Sequence, residues 1–131
     1  MQVGGFYVDY RGRRHRDLFR SAVWVGVPAA AGRDDEQFPD ALEYGESGGV
    51  SWVKLPVEAL ERRVKVTVEA TWRDEPVTVV GPVIDGTVLL NYDRSPARAR
   101  ELGMEGDQHM GWQIRVPAGE VDVTGVTERE Y

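Results

Sequence analysis

The chain has 131 residues, a length that suits one compact domain or two very small ones that share a core. Its 22 acids outnumber its 16 basic residues, so the formal net charge is -6 and the surface as a whole should repel nucleic acid. The absence of cysteine excludes disulfides and thiolate chemistry, and no apolar run reaches the ~18 residues that span a bilayer.

The N-terminal part of the chain is typical of strands joined by a basic turn. Residues 1–7 lack the basic and apolar regions of a signal peptide, so we expect a cytoplasmic protein. Apolar residues alternate with others over 6–10 and 23–27, which predicts half-buried strands. Between them, residues 11–16 read Arg-Gly-Arg-Arg-His-Arg. This predicts a solvated hairpin turn centred on Gly12, whose charges protect an edge strand, or alternatively a patch that contacts phosphate.

The segment from Pro28 to Gly49 is rich in glycine, proline and acids, which predicts a long exposed loop. Such acids are solvated charges or, in a binding protein, a surface complementary to a basic partner. Phe38 and Tyr44 either pin this loop to the protein or form part of an interface. The candidate partner-binding residues are Asp34, Asp35, Glu36, Asp40, Glu43, Tyr44 and Glu46.

The remainder of the chain predicts more strands and one helix. Alternating valines over 64–70 indicate a strand, and the Asp-Gly pair at 85–86 between two apolar runs indicates a tight hairpin. Ser95 as an N-cap, a proline at the first helical position and Gly103 just past the end predict a short helix over about 96–102.

The two halves of the chain resemble each other at an offset of about 60 residues. Trp52 opens a short strand that reaches Pro56, and Trp112 opens a similar strand that reaches Pro117. A one-turn link and a further strand follow in both cases, which is the order of an SH3-like small barrel. We therefore predict a mainly β fold made of two sequence-related SH3-like halves that pack as one unit. The halves are about 1–70 and 71–131 of a single domain over 1–131.

Motifs for catalysis or cofactor binding are not visible in the sequence. His15 and His109 have no second ligand at a spacing that suits a metal, so both are interpreted as surface or interface histidines. No serine lies in a Gly-x-Ser-x-Gly elbow, and no glycine-rich phosphate loop carries its lysine. The glycine-rich stretch 45–49 precedes a strand rather than a helix, which favours a flexible turn. We therefore expect no enzyme, no cofactor and no metal.

Four short motifs carry a resemblance to a known class of proteins: Tyr10-Arg11-Gly12, Leu89-Leu90-Asn91-Tyr92, Ala99–Gly103 and Trp112–Val121. With them the chain resembles small, acidic, β-rich actinobacterial proteins, some of which look like immunity proteins encoded beside polymorphic toxins. The resemblance implies a non-enzymatic inhibitor that binds one toxin, and it implies no active-site residue. The alternative is a small β-barrel regulatory or ligand-binding module that uses the Arg11–Arg16 hairpin to bind a peptide or nucleic acid. The sequence leaves the oligomeric state open.

Overall fold

The computed structural model describes residues 1–30 and 32–131, and it is mainly β, as predicted. Strands hold 58% of the residues and helices 9%. Over the described residues the one α-helix is α1 (Pro96–Glu101), and no helix there is long and apolar enough to span a membrane. The strands are β1 (Gly5–Tyr10), β2 (Arg13–Arg16), β3 (Phe19–Arg20), β4 (Trp24–Pro28), β5 (Glu43–Ser47), β6 (Val50–Pro56), β7 (Arg62–Trp72), β8 (Glu75–Ile84), β9 (Thr87–Tyr92), β10 (Glu105–Asp107), β11 (Gly111–Pro117) and β12 (Asp122–Glu130).

The chain forms two compact units. The first unit comprises Phe6–Lys65 and Glu130–Tyr131, and the second comprises Met1–Gly5 and Val66–Arg129. Strand β7 contributes to both units, because the boundary falls within it. The division into halves that the sequence predicts, at about residue 70, lies in the same strand.

The first unit contains a four-stranded antiparallel sheet with the order β3-β4-β6-β5. It also contains the β1–β2 hairpin, in which β1 lies between β2 and β7. Val25 faces Leu55 and Val27 faces Val53 across β4 and β6, so these four side chains share the buried face of the sheet. Seven buried residues make up the core of this unit: Val8, Tyr10, Val25, Val27, Phe38, Val53 and Leu55.

The basic hairpin predicted around Gly12 is confirmed. Arg11 and Gly12 form the turn with φ values of 49° and 77°, the left-handed conformation that two-residue hairpin loops require. Strand β2 ends the order of its sheet, so its arginines protect an edge. Asp85 and Gly86 turn in the same way, with φ values of 49° and 74°, which confirms the hairpin predicted there.

The prediction of one long loop from Pro28 to Gly49 is wrong in its second part. Residues Glu43–Ser47 form β5, which pairs with β6. Gly48 and Gly49 join the two strands with φ values of 57° and 79°, a conformation that glycine adopts without steric cost. The glycine-rich stretch is therefore a defined hairpin turn, and the irregular connection ends where β5 begins.

The second unit contains an antiparallel sheet with the order β10-β11-β9-β8-β7, and β12 also pairs with β7. The predicted helix is confirmed as α1. It begins after Ser95, whose hydroxyl oxygen accepts a hydrogen bond of 3.2 Å from the Arg98 N–H. Ala99 is its buried residue, and Gly103, with a φ of 76°, lies just beyond its end.

Both units contain a strand that ends in proline and continues into a single turn of 3₁₀ helix, as predicted. Strand β6 ends at Pro56 and is followed by the turn Val57–Ala59. Strand β11 ends at Pro117 and is followed by the turn Ala118–Glu120. A further strand begins soon after each turn, β7 in one case and β12 in the other.

The predicted equivalence of Trp52 and Trp112 is wrong. Trp52 precedes Pro56 by four residues and Trp112 precedes Pro117 by five. Because side chains alternate between the faces of a strand, the two rings lie on opposite faces relative to their prolines. Trp112 is accordingly buried, whereas Trp52 is half-exposed.

Candidate binding surface

The acidic segment, which we define as residues 33–46, is anchored to the first unit by a buried aromatic ring. Phe38 is 1% exposed and stacks on Tyr10 with 6.1 Å between the ring centres. The Asp34 carboxylate accepts a hydrogen bond of 3.0 Å from the Gln37 N–H, and the Asp34 carbonyl accepts one from the Phe38 N–H. Phe38 therefore pins the segment to the protein, and Asp34 stabilises the turn that presents it.

Asp40 also contacts the protein's own core. The Tyr10 hydroxyl donates a hydrogen bond of 2.8 Å to the Asp40 carboxylate, and the Asp40 N–H donates one of 3.3 Å to the same hydroxyl oxygen. Burial, and next the hydrogen bond to Asp40, raises the pKa of Tyr10 above its ordinary value. Asp40 is therefore a second anchor of the acidic segment.

Asp35 is exposed, but its charge is already paired. Arg33 Nε lies 3.0 Å and 2.9 Å from the two carboxylate oxygens of Asp35, and the Tyr44 hydroxyl donates to one of them at 3.3 Å. The hydrogen bond from Arg33 lowers the pKa of Asp35 below its ordinary value. The Arg33 guanidinium also lies 5.3 Å from the centre of the Tyr44 ring.

Glu36 brings the acidic segment beside the basic hairpin. Its carbonyl accepts a hydrogen bond of 3.0 Å from the Arg11 guanidinium, and the residue itself is exposed. An open groove of about 370 Å³ lies at this junction. Its lining contains both signs of charge, which fits the mixed polar surface of a protein better than a row of phosphates. The lining residues are Tyr10, Arg11, Arg13, His15, Asp34, Glu36 and Gln37.

The other three candidate residues lie on β5. Glu43 is 3.5 Å from Lys54 Nζ, Tyr44 is half-buried and packs against the core of the first unit, and Glu46 is exposed. Among the candidate acids, Glu36 and Glu46 have carboxylates for which the described residues supply neither an ion pair nor a hydrogen bond. These two acids are available to a partner.

His15 is a packed, half-buried histidine. Its ring centre lies 5.7 Å from that of Phe38 and 6.4 Å from that of Tyr10. Burial, and next the nearby Arg13, lowers the pKa of His15 below its ordinary value of 6.5, so the imidazole is neutral near pH 7. Its contacts indicate a structural role under the basic hairpin.

The sequence analysis missed a cluster of aromatic side chains on the outer face of the four-stranded sheet. The Phe19 ring meets Trp24 and Trp52 edge to face, with ring centres 5.7 Å and 5.2 Å away. Lys54 Nζ lies 4.3 Å from the centre of the Trp24 ring and 5.4 Å from that of Trp52. We call these four residues the aromatic cluster.

Two glycines make room for the aromatic cluster. A Cβ on Gly26 would collide with the Phe19 ring, and a Cβ on Gly45 would collide with the Trp52 ring. Trp24 and Trp52 each alternate with a buried valine on their own strand, so the period of two already indicated that both lie on the outer face. Gly45 lies opposite Trp52 on the neighbouring strand. The need for a glycine there could not be predicted from the sequence, because β5 was not predicted.

The second unit has a polar groove across its sheet. Glu69, Thr78, Asn91 and Gln113 face one another in register across β7, β8, β9 and β11, beside a cavity of about 600 Å³. Gln113 Nε2 donates a hydrogen bond of 2.8 Å to Asn91 Oδ1. All four residues are exposed or half-buried, which is typical of the solvated face of an antiparallel sheet. None of the candidate partner-binding residues lines this groove.

The described residues contain no group of three or more His, Cys, Asp or Glu side chains that could hold a metal ion. Comparison of the chain with protein-family models, curated proteins and solved structures found no match. The function therefore has to be inferred from the surfaces described above.

Proposed function

We propose that this is a non-enzymatic binding protein, an immunity-type inhibitor that binds a cognate toxin in the cytoplasm. The observation that carries the proposal is that the acidic segment is held in a fixed conformation from within. Phe38 and Asp40 contact the core, and Asp34 stabilises the turn that leads to Phe38, while Glu36 and Glu46 stay exposed. A surface that is ordered before binding loses less conformational entropy when the partner arrives.

The charge distribution supports a basic protein as the partner. Residues 31–62 contain eight acids and three basic residues, a balance of -5 within a chain of net charge -6. Clustered charges of one sign attract an oppositely charged surface and accelerate association, whereas single charges at the rim of an interface add little affinity. An acidic surface of this kind suits a toxin that is itself basic because it acts on nucleic acid or another polyanion.

In this proposal some candidate residues maintain the conformation of the acidic segment and others contact the partner. Asp34 and Asp40 maintain the conformation of the segment, so their effect on binding is indirect. Glu36 and Glu46, whose carboxylates are unpaired among the described residues, form ion pairs with the partner. Tyr44 is half-buried, its hydroxyl donates to Asp35 and the Arg33 guanidinium lies near its ring, so the accessible part of the ring contributes apolar contact at the interface.

We also propose that the two halves are related small barrels of the SH3-like type, packed as one domain. Each unit has a strand, a longer connection, a hairpin, a proline-terminated strand, a 3₁₀ turn and a further strand, in that order. When Pro56 is aligned with Pro117, Leu55 coincides with Val116, and both of these residues are buried opposite a buried valine. This correspondence supports a duplication more strongly than the tryptophans do.

The second candidate function is a small β-barrel regulatory or ligand-binding module that uses the Arg11–Arg16 hairpin to bind a peptide or nucleic acid. Arg13 and Arg16 are exposed, which favours it. Arg14, however, pairs with Asp9 at 2.8 Å, and Arg11 reaches into the acidic segment. The hairpin therefore offers fewer free cations than its sequence suggests.

The proposed function is tested by association kinetics with the product of the neighbouring gene. The double variant Glu36→Gln, Glu46→Gln should associate about 3- to 10-fold more slowly at low salt, and the difference should shrink at high salt. The matched control is Asp74→Asn, Glu105→Gln in the second unit, which changes the net charge equally at two exposed acids whose carboxylates are also unpaired among the described residues. It should associate at nearly the rate of the unmodified protein.

Three results would contradict the proposal: no binding of the neighbouring product, unchanged rates for the acidic-segment variant, or equal slowing by the control variant. Salt-dependent binding of nucleic acid that disappears in an Arg13→Gln, Arg16→Gln variant would instead establish the second candidate.

A further inference from the structure

Three cations and two aromatic rings form a second charged surface on the first unit. The Phe6 and Tyr131 rings meet edge to face with 5.2 Å between their centres, and the two residues are 37% and 45% exposed. The Arg20 guanidinium lies 4.3 Å from the centre of the Phe6 ring, and the Arg63 guanidinium lies 4.9 Å from that of Tyr131. Lys65 Nζ lies 5.8 Å from the centre of the Phe6 ring. We call these five residues the basic-aromatic patch.

The basic-aromatic patch carries positive charge that the described residues do not neutralise. Asp17 pairs with Arg20 at 2.9 Å and accepts a hydrogen bond of 2.8 Å from the Tyr131 hydroxyl, and its side chain is fully buried. Over the described part of the chain no carboxylate pairs with Arg63 or Lys65, and Arg63 Nε is buried without a hydrogen-bond partner. The patch therefore offers two cations to an anionic partner, in a chain whose net charge is -6.

The chemistry of the patch favours carboxylates over nucleic-acid bases. Guanidinium and ammonium groups only donate hydrogen bonds, so they fit carboxylate or phosphate oxygens. One guanidinium already lies against each ring, Arg20 at Phe6 and Arg63 at Tyr131, which leaves less ring surface on which bases could stack. An acidic segment of a protein needs no such stacking.

We propose that the basic-aromatic patch binds the acidic segment of a second copy of the chain. In that segment Glu36 and Glu46 are exposed, and their carboxylates are unpaired among the described residues, as are the cations of Arg63 and Lys65 in the patch. Opposite charges that are both free attract each other across an interface. At physiological ionic strength, screening over about 8 Å removes most of the repulsion between the net charges of the two copies and retains contacts at ion-pair distance.

The patch and the acidic segment lie on the same side of β1. Phe6 and Tyr10 share one face of this strand, about 13 Å apart, and Phe38 of the acidic segment stacks on Tyr10. Two copies related by a twofold axis could therefore make the contact twice, the patch of each copy meeting the segment of the other. A double contact compensates for the small strength of each exposed ion pair.

Such a dimer would regulate the proposed function, because it covers the same acids. A toxin that binds Glu36 and Glu46 has to displace the second copy first, so self-association would lower its apparent affinity. This regulatory role rests on the proposed function, whereas the self-association involves no toxin.

Sedimentation equilibrium of the full chain tests the proposal. The unmodified protein should dimerise between about 10 μM and 1 mM, and high salt should weaken the dimer about 3- to 10-fold. The patch variant Arg63→Glu, Lys65→Glu and the segment variant Glu36→Lys, Glu46→Lys should each associate at least about tenfold more weakly, because like charges then face each other. An equimolar mixture of the two variants should recover the dimer, because each reversed charge again meets an opposite one.

The matched control for the patch variant is Arg94→Glu, Arg100→Glu in the second unit. Both arginines are exposed, and the control has the same net charge as the patch variant. It should dimerise within about twofold of the unmodified protein, because its patch and its acidic segment are intact. Circular dichroism establishes that each variant folds. Lys65→Glu alone, at an exposed position, serves if the double patch variant unfolds.

The proposal is overturned if the unmodified protein stays monomeric at about 1 mM, if the patch variant and its control associate alike, or if the mixture of variants stays monomeric. Binding of single-stranded oligothymidylate by the monomer that the patch variant loses would assign the patch to nucleic acid and overturn it as well. Because every measurement uses the protein without a toxin, these outcomes are separate from those of the association-rate test.

Discussion

The connection that follows β4 and the connection that follows β9 hold the same place in the order of their units, but they are stabilised in different ways. Over its described residues the first has no helix, and it is held from inside, because Phe38 lies in the core and Asp40 accepts a hydrogen bond from Tyr10. The second folds into helix α1, capped by Ser95 and ended at Gly103. Because a buried ring and Asp40 hold the first connection to the unit, its exposed Glu36 carboxylate is not needed as an anchor.

The two connections also differ in how far their charged side chains are paired. In the second, Arg98 pairs with Glu101 at 2.9 Å and lies 3.6 Å from Glu75, so its basic charge is offset locally. In the first, Glu36 and, on the strand that follows, Glu46 keep carboxylates that are unpaired among the described residues. Under the proposed function, the connection anchored by an apolar ring is the one that contacts the partner.

The largest expected effect on the free energy of unfolding comes from removing the Phe38 ring. Phe38→Ala leaves a cavity in the core of the first unit and should lower the free energy of unfolding by about 3–5 kcal/mol. Urea denaturation followed by fluorescence measures this loss. Phe38→Leu, which retains most of the apolar volume, should cost markedly less. A loss below about 1 kcal/mol for the alanine variant would show that the ring does not anchor the segment.

A smaller effect is expected for the cap of helix α1. Ser95→Ala removes the oxygen that accepts from the Arg98 N–H and should lower the free energy of unfolding by about 1 kcal/mol. Ser95→Asp keeps an acceptor at the same position and should retain most of the stability. Equal losses for the two variants in urea denaturation would mean that the cap contributes little to this connection.

The smallest expected effect is a pH dependence of the stability of the first unit, due to His15. Because the pKa of His15 in the folded protein is below its ordinary value of 6.5, the unfolded chain binds a proton more readily. The stability due to neutral His15 is complete above about pH 6.5 and is lost as the pH falls through 6.5 towards the lower folded value.

His15→Gln isolates this contribution. The free energy of unfolding of the unmodified protein, minus that of the variant, should decrease as the pH falls from about 7 to about 5. Urea denaturation at several pH values measures the difference and cancels the titration of the acids that both proteins share. A difference that stays constant over this range would show that His15 titrates alike in the folded and unfolded states.

Much of the fold could be predicted from local signals. The helix was predicted from a cap, a proline and a glycine within nine residues, and the hairpins at Gly12 and Gly86 were predicted from turn residues that accept a positive φ. Each of these elements is determined by contacts between residues close together in the chain. Helix α1 accordingly lies at Pro96–Glu101, where the sequence predicted it at about 96–102.

The candidate site was less predictable because it depends on residues distant in the chain. Whether Phe38 faces solvent or the core is decided by its contact with Tyr10, 28 positions earlier, which no local pattern encodes. Strand β5 lacks a regular apolar alternation, and its position is set by pairing with β6. The equivalence of Trp52 and Trp112 failed because a shift of one residue on a strand moves a side chain to the opposite face.

The two glycines under the aromatic cluster have a consequence for how this protein tolerates change over evolution. Gly26 and Gly45 carry no side chain and belong to an outer sheet face, yet any side chain there would strike the Phe19 or Trp52 ring. A side chain at either position therefore requires the facing ring to move, so drift there is more restricted than at the charged residues around them. Distant descendants of the same ancestor should be recognised by these ring and glycine pairs long after the acids of the acidic segment have changed.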